Sequence, residues 1–459
     1  MVLLIGLIGF LPVSALHSAK ENAEAIRLVT DPETGTLMEE IGNPLLEAAD
    51  LSPERIHFHV MVDSAMNAFA LPNGHIVFHS GLILAAQDVD ELSAVMAHEI
   101  AHLSSGHHIQ LEGDAKRLGL QALIATAAGL VAGIAAKDGK ITEAALVGGA
   151  AATRSGLIAA IRDKERQADN MAVHLLSKAG RSPKGLVRFL ERISREQRLM
   201  SMPPPYLLTH PVGPERIQET RELVAEAPAP TRPFSATSLR RLGRVQARLE
   251  AITATNPAQA ADQFRQRAEQ HPNDPGARQA ALFGLAASLR YAGQLPEAEA
   301  LLNKLLEEDP KDPYLLRDRA VLRLEKGSLS AAEADLRLAL QTLPDHPDLK
   351  YQLAFVLNER KESEQAVKLL RQLTSAHPEL AEPFYLLGLA EGNRGQKGAG
   401  HLAMGRYYRM QLREDMAKWH LKEALKEFPP GAAEREIVRQ ELDYLEKQLK
   451  EGKGSLSRR

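Results

Sequence analysis

Residues 96–108 read MAHEIAHLSSGHH, and this stretch decides how the rest of the chain is interpreted. His98 and His102 stand four residues apart, and Glu99 follows the first of them. On an α-helix, positions i and i+4 lie on one face, so two imidazoles can bind the same metal ion. Glu99 lies at the edge of that face, where a carboxylate can take a proton from a water molecule that the metal activates. The spacing therefore predicts a helix that carries a catalytic metal site.

The residues before this pair predict that the helix is buried. Leu92, Val95 and Met96 recur at helical spacing, and Asp88 or Asp90 offers an oxygen atom to cap the N-terminus of the helix. A second interpretation stays open, in which the two histidines only form hydrogen bonds on a buried helix and no metal is bound. A third metal ligand elsewhere in the chain would favour the metal site.

His108 is the first candidate for that third ligand. It stands six residues after His102, which is the spacing of the metzincin peptidases. Their arrangement turns the chain sharply at a glycine three residues past the second histidine. Here that position is Ser105, and Gly106 comes one place late. His108 is therefore the less favoured candidate.

Glu165 is the second candidate, and we favour it. Glu165 and Asp169 are four residues apart on a second predicted helix, Ile161–Leu176. Glu165 could bind the metal while Asp169, one turn further on, accepts the free N–H of a ligand imidazole. A carboxylate pair at this spacing is more often a solvated helix face, so the interpretation depends on the histidine pair upstream.

Three motifs in this order resemble the M48 family of zinc metallopeptidases: HEIAH at 98–102, ERQAD at 165–169, and Thr209-His210-Pro211 followed by Arg216. With the repeats described below, the resemblance covers nearly the whole chain. It implies one zinc ion per chain, with a general base and three ligands, which would be Glu99, His98, His102 and Glu165.

The resemblance also places His210 close to the zinc ion. We expect His210 either to occupy the open position of the metal as a gate or to donate a hydrogen bond to the tetrahedral intermediate. Arg216 is expected to pair with a carboxylate, with Asp169 as the candidate, and so to hold this segment in place. Without the resemblance, a single histidine beside a proline would be given no role.

Composition narrows the chemistry. The 459 residues are enough for two or more domains, and they include no cysteine. Disulfides, thiol catalysis and cysteine-based zinc fingers are therefore excluded, which leaves histidine and carboxylate as metal ligands. The formal net charge of −3 gives no bulk attraction to nucleic acid, so we expect no nucleic-acid partner.

The N-terminus predicts export. Met1–Ala15 is an apolar run that ends in a small-x-small cleavage motif, and a second cleavage site could follow Ala19. No lysine or arginine precedes the run, which departs from the usual pattern of a signal peptide. A buried N-terminal segment is the alternative. With the family resemblance, a signal peptide over 1–19 implies a periplasmic protein.

A short sheet is predicted before the histidine helix. Ile56–Val62 is β-branched and aromatic, and Ala68–Leu71 and His75–Phe78 flank a Pro-Asn-Gly turn at 72–74. The edge strand of such a sheet could pair with an extended substrate beside the metal. Alternatively, the hairpin only packs under the helix.

An apolar insert separates the two predicted metal-binding helices. Leu118–Ala136 and Ala144–Ala160 are rich in alanine and glycine, and residues 137–140 between them read as a turn. We expect a helical hairpin that covers the active site or contacts a membrane or a membrane-bound partner, rather than a true membrane span. An integral membrane peptidase is the alternative.

After a proline-rich stretch at Ala225–Ser238, a sequence pattern repeats every 34 residues. A period of this length with a small residue, a turn glycine and a closing proline is typical of tetratricopeptide repeats. Lys361 replaces the turn glycine in one repeat. Ala417 is out of phase, for which we expect an unpaired helix near Glu382–Glu391. Three triplets keep the spacing: Ala298, Ala332 and Ala366; Gly293, Gly327 and Lys361; Pro310, Pro344 and Pro378.

We therefore predict an α+β chain. A zincin-like, mostly helical peptidase domain with a small sheet would span residues 20–224, and a linker would span 225–245. An all-α tetratricopeptide-repeat solenoid would span 246–449, followed by a disordered tail over 450–459.

The resemblance implies a periplasmic zinc endopeptidase that acts in outer-membrane β-barrel protein assembly and quality control, with chaperone-like activity. Unfolded or misassembled outer-membrane proteins would be its clients, and the repeats would engage the barrel-assembly machinery or the client. Peripheral contact with a membrane is a further expectation. The competing interpretation is a non-proteolytic chaperone or scaffold whose zinc site is plugged.

Overall fold

The computed structural model describes residues 5–8, 26–71, 74–106, 151–197 and 205–456. The chain forms two compact units, Met1–Tyr291 and Ala292–Arg459. The predicted helix Leu118–Ala136, the first part of Ala144–Ala160 and His108 lie outside the described residues. None of the helices in the described ranges combines the length and apolar character that a bilayer crossing requires.

The first unit contains a small mixed sheet in the order β1-β2-β3-β5-β4. β3 pairs in parallel with β5, and β4 pairs antiparallel with β5, which confirms the predicted hairpin. β2 pairs antiparallel with β3. The strands are β1 (Ile5–Ile8), β2 (Ile26–Val29), β3 (His57–Met61), β4 (Ala68–Ala70) and β5 (His75–His79).

β1 lies inside the predicted signal peptide. It pairs in parallel with β2, from Ile5 opposite Ile26 to Ile8 opposite Val29. An apolar, β-branched run is suited to a sheet edge as well as to a signal peptide, which is why composition alone does not separate the two. Because β1 is at the end of the sheet, the pairing of β2 with β3 does not depend on it.

Helices of the first unit pack against this sheet. One face of the sheet, with Val60, Ile76 and Phe78, belongs to the same hydrophobic core as the first and third helices. The helices are α1 (Pro32–Ala48), α2 (Ser80–Ala85), α3 (Val89–Ser104), α4 (Ala151–Lys178), α5 (Lys184–Gln197), α6 (Pro205–Thr209), α7 (Pro214–Glu226), α8 (Ala236–Thr253), α9 (Pro257–Gln270) and α10 (Pro275–Tyr291).

α3 lies at the centre of the unit. The Asp88 side chain accepts a hydrogen bond from the backbone N–H of Glu91, so the predicted N-terminal cap is confirmed as Asp88. α3 packs against α4 and α5. Gly185 of α5 lies so close to the Asp90 carbonyl that a Cβ atom there would overlap it. This close approach fixes α5 against the start of α3.

The predicted linker at 225–245 is mostly helical, which corrects that prediction. α7 runs to Glu226 and α8 begins at Ala236, so only the short segment 227–235 separates the two helices. α8 also packs against α1. Arg244 forms an ion pair with Glu33, and Arg248 Nε lies 3.1 Å from Asp31 Oδ1. Because these paired charges join α8 to α1, α8 belongs to the first unit, and the two units divide after Tyr291 rather than at 245.

The second unit is a stack of antiparallel helices, as the repeat pattern predicts. Ala298, Ala332 and Ala366 are fully buried at equivalent positions. Lys361 adopts the turn conformation with a φ of 65°, close to the 74° of Gly327. The helices are α11 (Leu295–Glu308), α12 (Pro313–Glu325), α13 (Leu329–Thr342), α14 (Pro347–Glu359), α15 (Ser363–Ala376), α16 (Ala381–Asn393), α17 (Lys397–Met410), α18 (Glu414–Glu427) and α19 (Ala433–Leu456).

Two predictions about this unit are wrong. α16 is not unpaired, because it packs against α17 and continues the repeat. Gly395, with a φ of 75°, and Gly400 follow Lys361 and Ala366 at the same spacing as the earlier repeats. The pattern hid this repeat because the small buried position is Gly400, whose backbone contacts Gly388. The helix α19 also continues to Leu456, into the predicted disordered tail, because a packed helix propagates beyond its buried turns.

Candidate metal centre

α3 presents His98 and His102 to one point. The two Nε2 atoms are 3.0 Å apart, and the ring planes are nearly perpendicular at 82°. His98 is fully buried and His102 is partly exposed. The i, i+4 spacing therefore brings two imidazole nitrogens together as the sequence predicts.

α4 brings a carboxylate to the same point. Glu165 Oε2 lies 3.3 Å from His98 Nε2, and Glu165 Oε1 lies 3.3 Å from His102 Nε2. Glu165 is buried, as is most of the face of α4 that packs against α3. The predicted third ligand thus lies beside the histidine pair, whereas His108 falls outside the described residues.

His210, which follows α6, is a fourth donor in the group. Its Nδ1 lies 3.1 Å from both oxygens of Glu165 and 3.3 Å from His98 Nε2. Within the described ranges, the atoms of His98, His102, Glu165 and His210 form a group of candidate donors, all within 4.8 Å of one another. His210 is buried, so this is an internal site.

The donor set fits zinc. Tetrahedral zinc binds nitrogen and oxygen at about 2.0–2.2 Å, so its ligand atoms are about 3.3–3.5 Å apart. The separations of 3.0, 3.3, 3.3 and 3.1 Å in this group are close to those edges. Three imidazoles and one carboxylate are also ligands that zinc prefers. The residues present could therefore hold one divalent cation of this kind.

Asp169 orients the first histidine. Its Oδ1 lies 3.0 Å from His98 Nδ1, so that nitrogen carries the proton and Nε2 is left to bind a cation. Arg216 holds Asp169 through two contacts, 2.6 Å from Nε to Oδ2 and 2.9 Å from Nη2 to Oδ1. Arg216 Nη1 also lies 2.7 Å from Glu165 Oε2. One guanidinium therefore positions both Glu165 and Asp169.

Charges in this group shift the pKa values strongly. Burial alone would raise the pKa of Asp169, but Arg216 and His98 lower it to about 2. Burial would likewise lower the pKa of His98, but Asp169 and Glu165 raise it to about 9 in the absence of a cation. Burial lowers the pKa of His102 to about 3, with His98 and His210 contributing. Without a cation, His98 is therefore protonated at neutral pH, whereas His102 is neutral.

Glu99 lies next to the group without joining it. It is buried, and its Oε1 has no hydrogen-bond partner among the described residues. This oxygen lies 3.6 Å from His210 Nε2. Burial raises the pKa of Glu99, while the nearby histidines lower it to a smaller extent. A carboxylate with a raised pKa and a free oxygen at the metal site is suited to accept a proton.

Two further residues around His210 have no signal in the motifs. The Tyr206 ring stacks on the His210 ring with a centroid distance of 4.6 Å, and the Tyr206 carbonyl accepts the His210 backbone N–H. Thr220 is buried one turn after Arg216, and its Oγ1 donates to the Arg216 carbonyl at 2.8 Å. Tyr206 could have been found only through the proline run that precedes it.

Comparisons with known proteins show which families and relatives this chain is similar to. Residues 32–224 match the profile of peptidase family M48, and residues 280–312 and 323–388 match tetratricopeptide repeat profiles. A beta-barrel assembly-enhancing protease of Yersinia pestis is 27% identical over 379 residues, covering 80% of this chain and 74% of the relative. A putative protease of the same name from Vibrio cholerae is 29% identical, with coverage of 84% and 78%. The protein of that name from Escherichia coli is 26% identical, with coverage of 92% and 85%.

Proposed function

Because this chain combines a peptidase family M48 domain with tetratricopeptide repeats, we propose that it is a zinc-dependent endopeptidase of outer-membrane protein assembly. One observation carries the proposal: the buried Glu99 Oε1, 3.6 Å from His210 Nε2, lies beside four donors of tetrahedral spacing in the described part of the chain. His98, His102 and Glu165 would be the zinc ligands. Asp169 and Arg216 are positioning residues, since they act through His98 and Glu165.

The residues of the site divide the chemistry between them. A zinc ion held by His98, His102 and Glu165 would supply Lewis acidity for the activation of a water molecule and of the scissile carbonyl. Glu99 Oε1 accepts the proton of that water and passes it to the nitrogen of the departing amine. Asp169 Oδ1, 3.0 Å from His98 Nδ1 and paired with Arg216, would keep the proton of His98 on Nδ1.

The edge of the sheet is suited to hold the substrate. β4 is the end strand of the sheet and packs against α3. Asn67 and Leu71 form backbone hydrogen bonds with β5, so by antiparallel alternation the N–H and C=O groups of Ala68 and Ala70 point away from it. An extended polypeptide that pairs with this edge would run beside the metal centre. Unfolded proteins, which expose their backbone, are therefore the substrate class.

His210 acts as a gate in this proposal. Its Nδ1 takes the fourth position of the donor group, which substrate or water needs during catalysis. The α6 segment that precedes His210 is short, and Tyr206 holds the ring by stacking. We therefore expect His210→Ala to raise proteolysis of casein. A fall in proteolysis with full zinc content would instead assign His210 to stabilisation of the tetrahedral intermediate.

The relatives named beta-barrel assembly-enhancing protease suggest the biological setting. We propose that this chain works in the periplasm after removal of a signal peptide, degrades misassembled outer-membrane proteins and assists the folding of others. The repeats would bind the client or the barrel-assembly machinery, since such repeats form concave surfaces for protein segments. Peripheral membrane contact is part of the proposal, and release by carbonate extraction would distinguish it from integration.

Substitution Glu99→Gln tests the proposed activity. We expect kcat on casein to fall by about 10²–10⁴ while zinc stays at about one ion per chain, because the change removes the proton acceptor and keeps the shape. Glu47→Gln, on the exposed side of α1, is the matched control and should leave kcat unchanged. Undiminished cleavage by the Glu99→Gln protein would refute the mechanism.

A second candidate function is favoured by the position of His210. Because this side chain completes the donor group, the chain could be a chaperone or scaffold with a plugged zinc site. In that case wild type and His210→Ala would both fail to cleave casein or a denatured outer-membrane protein, although both would bind the client. Cleavage by either protein would favour the peptidase.

A further inference from the structure

A second histidine cluster lies on the sheet, on the face opposite the hydrophobic core. His57 and His59 alternate along β3 and therefore share one face. β5 runs parallel to β3 with His75 directly opposite His57. Paired residues of neighbouring strands point to the same side, so all three imidazoles lie together. The other face carries Val60, Ile76 and Phe78 in the core.

The three rings are close enough to share a ligand. His59 Nε2 lies 2.8 Å from His75 Nδ1. The ring centroids are 5.0 Å apart for His59 and His75, and 5.2 Å apart for His57 and His75. His57 is exposed, so rotation of its side chain can bring a nitrogen toward the other two. Two donors are thus in place, and a third is within one rotation.

We propose that His57, His59 and His75 form a second metal site, which takes a Cu²⁺ or Ni²⁺ ion. Within the described ranges, none of these three side chains forms an ion pair, so the donors are imidazole nitrogens with no carboxylate paired to them. Such donors suit late transition metals and exclude Mg²⁺ and Ca²⁺, which need oxygen ligands.

The spacing of the donors separates this site from the metal centre on α3. With metal–nitrogen bonds of about 2.0 Å, two nitrogens 2.8 Å apart subtend about 90° at the ion. That angle belongs to square-planar or octahedral coordination, which Cu²⁺ and Ni²⁺ adopt. The donor separations at the α3 centre run from 3.0 to 3.3 Å, all longer than 2.8 Å and closer to the edges of a tetrahedron. The two sites should therefore hold different metals.

Bound metal would join two strands that are distant in sequence. His59 and His75 come from β3 and β5, which are connected through β4 and its turns. A ligand that binds only the folded sheet stabilises it by mass action. The site would thus be a structural metal site that stabilises the sheet, which precedes α3 in the sequence.

The experiment uses full-length protein without a polyhistidine tag, in a His98→Ala/His102→Ala background that removes two donors of the α3 centre. Cu²⁺ is titrated in, and the paramagnetic resonance spectrum and the melting temperature are recorded. We expect one tightly bound Cu²⁺ per chain with couplings to two or three nitrogens, and a higher melting temperature. His75→Gln should remove both effects, and His57→Gln should weaken binding by at least about tenfold.

Two controls make the test specific. His174→Gln replaces an exposed histidine on α4 and should change nothing. His420→Gln removes one partner of a close histidine pair in the second unit, in which the Nδ1 atoms of His401 and His420 are 3.0 Å apart. The proposal is overturned if the copper signal disappears with His420→Gln and persists with His75→Gln. It is also overturned if no copper binds to the folded background protein. His57→Gln alters only an exposed side chain, so weaker binding in that variant cannot be attributed to a failure to fold.

Discussion

The first unit contains two histidine clusters that are built from opposite surroundings. Around α3, the imidazoles of His98, His102 and His210 lie with the buried Glu165, Asp169 and Arg216. On the sheet, His57, His59 and His75 are exposed or half-buried and face one another without a carboxylate in the described part of the chain. Both clusters offer three imidazole rings, yet the first has a built-in charge scaffold and the second has none among the described residues.

The charged neighbours of the first cluster give its histidines different pKa values from those on the sheet. Near α3, Asp169 and Glu165 overcome burial and raise the pKa of His98 to about 9. On the sheet, burial and the neighbouring His75 and His57 lower the pKa of His59 to about 4. A buried carboxylate next to a histidine therefore fixes one tautomer and one charge state, which a catalytic ligand needs. A cluster of imidazoles alone stays neutral and is suited to simple binding.

Removal of Arg216 should destabilise the first cluster and have the largest effect on the free energy of unfolding. Arg216→Ala leaves Glu165 and Asp169 buried without their cation, which costs about 3–5 kcal/mol of unfolding free energy. The unfolding of the first unit is followed by hydrogen exchange of α4. Trp419, the single tryptophan of the chain, reports the second unit, whose unfolding should be unchanged.

Arg221→Ala is the matched control on the same helix, α7. Arg221 pairs with Glu191 at 2.7 Å, but its side chain is 52% exposed. A solvated pair contributes about 0–1 kcal/mol. Equal effects of the two substitutions would contradict the idea that Arg216 holds the metal ligands in place.

The two clusters should respond to pH in opposite directions in metal-free protein. The pKa of His98 is raised from 6.5 to about 9, so its contribution to stability is present below pH 6.5 and is lost as pH rises through 9. The pKa of His59 is lowered from 6.5 to about 4, so stability is lost as pH falls from 6.5 through 4. Histidine side-chain NMR titration measures both values. A charged His59 and a neutral His98 at pH 7 would contradict the predicted directions of both pKa shifts.

Asp169→Asn should weaken metal binding without removing a ligand. Asparagine can no longer hold His98 as a carboxylate does, so we expect zinc affinity to fall about 10–100-fold. Competition with a chromophoric chelator measures this affinity. Asp163→Asn, on the solvent-facing side of α4, should leave it unchanged. Unaltered zinc affinity in Asp169→Asn would show that Asp169 has no orienting role.

His59→Gln should have the smallest effect on the metal-free protein. The change removes one hydrogen bond between half-buried groups and leaves an amide that can replace it, so stability should change by no more than about 1 kcal/mol. Thermal unfolding in the presence of a chelator is the measurement. A loss of several kcal/mol would show that the sheet cluster is a core element rather than a binding surface.

Much of this architecture could be predicted from local patterns. The spacing of His98 and His102 predicted the helix α3 correctly, and the constant spacing of small residues, turn glycines and prolines predicted the repeats. The repeat that contains Gly400 does not fit the sequence pattern, because glycine stands there in place of the small alanine found at Ala366. The linker was misjudged because the partners of Arg244 and Arg248 lie at the start of α1, far away along the chain.

Local periods along the chain establish which side chains share a helix face or a strand face, because each kind of element has its own fixed period. The meeting of Glu165 and His210 with the histidine pair of α3, and the position of His75 opposite His57, come instead from the packing of the folded chain. These meetings depend on the packing of separate elements around a common core, and no local period encodes the distance between them.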